Sequence, residues 1–184
     1  MFFLLGFEHI LSLSSFDHIL FLLVLCGIYT FRQWRQLLIL ITAFTMGHCT
    51  SLVLAYYWAY SPPELLIEIL IPCTIIITAV ENLYVSHLNI VLRYAGTLVF
   101  GLIHGWGFSL YLNQILEKEE IVSALLAFNI GIEVAQIIVV ATIVSMHALV
   151  SKYYNVERFW NKILSWIGIM CSLCIIAVRL FNAV

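Results

Sequence analysis

Apolar runs close to the roughly 20 residues that a bilayer-crossing helix requires take up almost all of this 184-residue chain. Six stretches qualify, at 16–31, 37–60, 65–84, 90–112, 121–149 and 159–180. With 64% apolar and only 10% charged residues, the composition lies outside the range of soluble domains. The expected fold is all-α: a polytopic membrane helical bundle of about six transmembrane helices, forming one integral membrane domain over residues 1–184.

The segment ahead of the first span, Met1 to Ser15, is apolar but lacks the positive flank of a secretory signal, and it carries Glu8 and His9. It is expected to form a short helix in or near the outer interface, with Ser14 and Ser15 capping the first span. Charges between the spans set the orientation. Arg32 and Arg35 follow the first span, Pro62, Pro63 and Glu64 the second, Arg93 the third, Glu117-Lys118-Glu119-Glu120 the fourth, and Lys152, Arg158 and Lys162 the fifth. Short cytoplasmic connections collect Lys and Arg, so both termini fall on the non-cytoplasmic side. Arg179, near the C-terminus, is the one dissenting charge.

Ionisable groups inside the spans carry the functional signal. An ionisable side chain at mid-bilayer costs about 2.5–3.5 kcal/mol on insertion scales, yet the spans hold Asp17, His18, His48, Glu81, His104 and Glu133. Interhelical hydrogen bonds, at about 0.6 kcal/mol on average, do not offset several such burials. At about 1.5 Å per residue, His48 lies about 20 Å and His104 about 16 Å above the cytoplasmic ends of their spans. Asp17 and His18 sit at the outer end of theirs, while Glu133, Gln136 and Glu81 lie further in, so the groups are expected to form a column. Asn129, Glu133 and Gln136 share one helix face, as do Thr45, His48 and Leu52. Gly101 to Gly107 has a small-xxx-small pattern that admits a close neighbour and brings His104 within reach of other helices.

Other polar residues have plainer readings. His87 and His147 lie at span ends and read as solvated, Glu64 and Glu68 as outer-face charges that concentrate cations. Trp34, Tyr57, Trp58 and Trp160 read as interfacial anchors. The five cysteines lie in apolar runs; most read as small core residues, Cys171-x-x-Cys174 lacks the context of a redox motif, and Cys49 stands out only as the neighbour of His48. There is no basic run to bind nucleic acid and no Walker-type string for ATP.

Imidazole mixed with carboxylate suits a borderline first-row divalent metal such as nickel, cobalt or zinc. The favoured function is a permease in which outer groups replace the ion's water and inner carboxylates receive it. One alternative is an intramembrane zinc hydrolase with His18, His48 and His104 as ligands and Asp17 as base. Another is a metal-binding accessory subunit that does not transport.

Six strings resemble those of the HupE/UreJ family of hydrogenase and urease accessory membrane proteins. They are Gly-Phe-Glu-His-Ile (6–10), Phe-Asp-His-Ile-Leu-Phe (16–21), Thr-Ala-Phe-Thr-Met-Gly-His (42–48), Glu-Asn-Leu (81–83), Phe-Gly-Leu-Ile-His-Gly-Trp-Gly-Phe (100–108) and Phe-Asn-Ile-Gly-Ile-Glu-Val-Ala-Gln (128–136). The resemblance implies a bacterial inner-membrane protein that supplies nickel or cobalt to metalloenzymes, with metalloenzyme maturation proteins as partners. It also implies His9, Asp17 and His18 as metal contacts. Seven residues separate His9 from Asp17 where the family motif has five, a change of helical phase if the two shared one helix.

Overall fold

Helices follow the apolar runs, with bounds that differ where polar or cyclic residues intervene. The computed structural model describes residues 1–12, 15–58, 62–84, 89–115, 121–153 and 156–183. Within them are α1 (Phe2–Leu11), α2 (Phe16–Cys26), α3 (Trp34–Trp58), α4 (Glu64–Tyr84), α5 (Ile90–Ile115), α6 (Ile121–Tyr153) and α7 (Glu157–Asn182). A capping box of Thr30 and Gln33 starts a short 3-10 turn that leads into α3. Pro72 sits inside α4, where its missing N–H leaves the Glu68 carbonyl without its helical donor. No strand occurs among the described residues.

Among the described residues three helical segments are long and apolar enough to cross a membrane: Phe31–Trp58, Val122–Tyr153 and Phe159–Asn182. A fourth arises if α1 and α2, bent by 67° at their junction, are taken as one span. The first span does not run unbroken over 16–31, because α2 has 11 residues, about 16 Å of helix and half a membrane. The N-terminal segment forms the short helix α1, which packs along α6. Ser15 is the N-cap residue of α2 but makes no side-chain cap bond. Ser14, His87 and the acidic connection 117–120 lie outside the described residues.

The closest packing joins α3 to α5, α1 to α6, and α4 to α7. In the first two pairs glycine lets backbone meet backbone. A Cβ on Gly101 would overlap the carbonyl of Phe44, and one on Gly47 the carbonyl of Leu98. The α1–α6 pair repeats this contact: a Cβ on Gly6 would overlap the carbonyl of Phe128, and one on Gly131 that of Phe3. The same correspondence holds for the next nearest atoms, Leu102 N beside Gly47 and Phe7 N beside Gly131.

Equivalent residues are thus offset by 95 positions between α1 and α5 (3, 6, 7 against 98, 101, 102) and by 84 between α3 and α6 (44, 47 against 128, 131). The difference equals the 11 residues of α2. We read this as an internal duplication: α1, α3 and α4 correspond to α5, α6 and α7, with α2 added to the first unit. Short connections make successive helices antiparallel, so a tandem three-helix unit is inverted relative to its copy. The units exchange partners, α1 with α6 and α5 with α3, and meet through α4 and α7.

Filling either crossing forces two backbones apart, so Gly6→Leu and Gly101→Leu are each expected to destabilise by at least the ~1–3 kcal/mol of ordinary overpacking. Gly96→Ala, with nothing within 4 Å of the new carbon, leaves stability unchanged. Thermal unfolding in detergent checks this; tolerance at Gly6 with collapse at Gly101 would break the equivalence of the crossings.

Candidate metal site

The bend between α1 and α2 assembles the site. His9 lies in the last turn of α1 and Asp17 and His18 in the first turn of α2. The 67° bend turns these two ends together, and the His9 and His18 ring centres are 4.8 Å apart. His48 follows Gly47 on α3, and His104 stands between Gly101 and Gly105 on α5, so the glycine crossing of these helices sets both. Gly105 adds to it by receiving Ser51 of α3.

His18 is the hub. Its ring centre lies 5.9 Å from that of His48 and 4.9 Å from that of His104, while His9 and His48 are 5.8 Å apart. Imidazoles bound to one tetrahedral ion at metal–nitrogen distances near 2.0–2.1 Å have ring centres about 5 Å apart. Two ligand sets share the hub, His9 with His18 and His48, and Asp17 with His18 and His104; in each, the candidate donor atoms lie within 4.8 Å of one another.

Hydrogen bonds decide which nitrogen each ring offers. His18 Nδ1 is 3.0 Å from Asp17 Oδ1; a carboxylate only accepts, so Nδ1 carries the proton and Nε2 has the lone pair. Asp17 Oδ1 also accepts the His18 backbone N–H at 2.8 Å. Thr74 donates its hydroxyl proton to the Ile71 carbonyl at 2.7 Å. The hydroxyl oxygen therefore accepts from His104 Nε2, 3.0 Å away, leaving Nδ1 unprotonated. His9 Nδ1 lies 3.4 Å from the Ser15 hydroxyl.

The nitrogens left over, His9 Nε2, His18 Nε2, His104 Nδ1 and both of His48, are buried without a hydrogen-bond partner. Buried polar atoms in native proteins are nearly always paired. Orphan imidazole nitrogens in two three-residue ligand sets that share His18, with three of the four rings braced by an outer hydrogen bond, have the construction of a metal site with its supporting shell.

A cavity of about 580 Å³ is lined by His9, Asp17, His18 and His104 and also by Glu8, Glu64, Glu68 and Arg179. Arg179, the dissenting charge in the sequence, bonds Glu68 at 2.7 Å across α4 and α7.

Of the residues expected from sequence, the structure brings together His9, Asp17, His18, His48 and His104. The two inner carboxylates stand apart from the ligand sets. Glu133 accepts from the Thr42 hydroxyl at 2.7 Å, and Gln136 from Thr45 at 3.0 Å, both ties between α3 and α6. Asn129 donates to the Leu125 carbonyl one turn back on its own helix. Glu81 lies near the far end of α4, beside Asn82. His147, expected in solvent, is buried with its ring 5.2 Å from that of Trp160. Cys171 and Cys174 are unpaired. Sequence reading missed Thr74, since a threonine in an apolar run has no signal of its own, and it assigned Ser15 to capping.

A model of the HupE / UreJ protein family matches residues 1–182, essentially the whole chain. The chain belongs to the HupE/UreJ family. No match is found among curated proteins or among solved structures. Family and apolar helices together make this HupE/UreJ chain an integral membrane protein.

The hydrogen-bond directions make His104 an Nε2–H tautomer. Nitrogen-15 spectra of selectively labelled protein are expected to show that form, with the preference lost in Thr74→Val and kept in Thr74→Ser.

Proposed function

We propose that this HupE/UreJ protein is a membrane permease or supply protein for a divalent metal of nickel or cobalt type, held in transit by His9, His18, His48 and His104. The observation that carries the reading is the meeting of two three-residue ligand sets at His18, with buried, unpaired imidazole nitrogens beside a cavity that reaches His9, Asp17, His18 and His104. Neutral imidazole suits nickel, cobalt, zinc and copper, while the carboxylates lining the cavity draw a hydrated cation in. Asp17 serves as the partner that orients His18.

The proposal extends the spans to six, with α1 and α2 as one broken span and α4 and α5 also crossing; at 21 and 26 residues they reach about 32 and 39 Å. Arg32, Arg35, Arg93, Lys152 and Lys162 then gather at one end and Glu64 and Glu68 at the other. The basic end faces the cytoplasm, the cavity opens outward, and both termini lie outside. The setting is a bacterial inner membrane, with maturation proteins of a nickel or cobalt enzyme receiving the ion.

Purified protein is expected to bind nickel or cobalt exchangeably, and proteoliposomes to take it up. Loss of the hub in His18→Ala should weaken binding by more than the roughly 10- to 100-fold typical of an outer-shell loss, whereas Glu81→Gln and Glu133→Gln leave binding intact. One tightly held zinc with metal-dependent hydrolysis would instead identify a catalytic centre, and binding without uptake a fixed accessory site.

A further inference from the structure

The cavity reaches the histidines from one end of the bundle only. At the opposite end, where α4 and α7 approach each other again, a hydrogen-bonded knot joins four helices. Asn82 of α4 donates to the Val24 carbonyl of α2 at 2.7 Å, and Asn161 of α7 donates to the Asn82 carbonyl at 2.7 Å. Arg93 of α5 donates from both terminal nitrogens to Asn82 Oδ1, at 3.1 and 3.2 Å. Ser165 ties back to Asn161 at 3.1 Å.

Between this knot and the metal site runs a buried polar seam. On α4, Thr74, Thr78 and Asn82 recur every four residues on one face and are 2%, 3% and 7% exposed. On α5, Arg93, Thr97 and His104 share a face at spacings of four and seven, and are 7%, 4% and 1% exposed. The stripes meet at both ends, Thr74 with His104 and Asn82 with Arg93. Apolar packing alone would not place these groups between two helices in a membrane.

The duplication gives the seam its meaning. The cavity is bounded by the first half of α4 and the last turns of α7, together with α1 and the second half of α5. Exchanging α4 with α7 and α1 with α5 carries that boundary to the first half of α7, the last turns of α4 and, by the offset of 95, residues 100–107 of α5. The knot joins the first two of these segments, and Arg93 reaches it from one to two turns below the third. Inverted repeats bring about alternating access by such an exchange around a central site.

On the permease reading above, we infer that the cargo leaves along the α4–α5 seam, and that Arg93, pinned by Asn82, plugs it while the Glu68 end stands open. Arg93 suits a removable plug. It is buried, its direct partners are the neutral Asn82 amide and Tyr29, and no carboxylate lies within ion-pair distance of it among the described residues. A buried cation without a counter-charge disfavours the state that buries it, so the closed seam is held by geometry that the loss of one amide removes. A guanidinium and a divalent cation cannot share the seam, so the ion passes only when Arg93 has moved.

The test is sided thiol labelling of Thr97→Cys in the seam and Ile67→Cys in the cavity, each in a cysteine-free background. A membrane-impermeant maleimide is added to vesicles of either orientation. With the knot intact, Ile67→Cys reacts from outside and Thr97→Cys from neither face. Adding Asn82→Ala is expected to speed labelling of Thr97→Cys from the Arg93 face by about tenfold, the change that losing a buried hydrogen-bond pair brings, and to slow labelling of Ile67→Cys. Hydrogen exchange of the protein with its native cysteines gives the same reading without the cysteine-free background: Asn82→Ala speeds exchange in residues 90–97 and 159–165 and slows it in 64–72. Protection unchanged at Thr97, or exposure there with Ile67 equally reactive, overturns the proposal. Nickel flux separates the two readings. Flux without a seam response refutes the plug and keeps the permease; a seam that opens as described without flux upholds the plug and refutes nickel transport.

Discussion

Backbone-to-backbone contact at two glycine crossings is the constraint on which the rest of the molecule depends. In lipid there is no hydrophobic drive between helices, so association rests on close packing, and small residues permit it. Here the packing has a second effect. Because no side chain separates α3 from α5 at Gly47 and Gly101, the histidines beside those glycines project into the same small volume. The α1–α6 crossing holds Gly6 in the same way, and His9 follows it by three residues as His104 follows Gly101. A Gly-x-x-His segment is thus set twice, once from each half of the duplication, and α2 brings His18 between the two.

Polarity differs sharply between the two ends of the bundle. Carboxylates gather at the open end, with Arg179 tied to Glu68. Amides and one guanidinium gather at the closed end, in bonds that link α2, α4, α5 and α7. The imidazoles lie between, with the Asp17 carboxylate bonded to His18.

Much of this was legible in the sequence, and the limits are physical. Apolar runs located the helices, and the burial cost of imidazole and carboxylate singled out Asp17, His18, His48 and His104. The spacing of Gly101 and Gly105 announced a close neighbour, and α3 is that neighbour. Depth along a helix is readable from residue count, but direction around it is not, so Glu81 and Glu133 were aligned with the histidines although they face other partners. The internal duplication was hidden because only a few backbone-contact positions retain it. Arg93 was read as a loop charge; its burial follows from Asn82, a residue whose role depends on a helix pairing that periodicity does not specify.

The junction of α1 and α2 bears on how relatives are recognised. Were His9 and Asp17 on one helix, adding two residues between them would turn one about 200° relative to the other and destroy the site. They lie instead on separate rigid segments, brought together at their facing ends. The number of residues between them is then a connector length that chains of this kind can vary without moving a ligand. A search pattern that demands a fixed gap confuses linker with register, and one anchored on the two Gly-x-x-His segments, with the gap free, follows what the architecture holds constant.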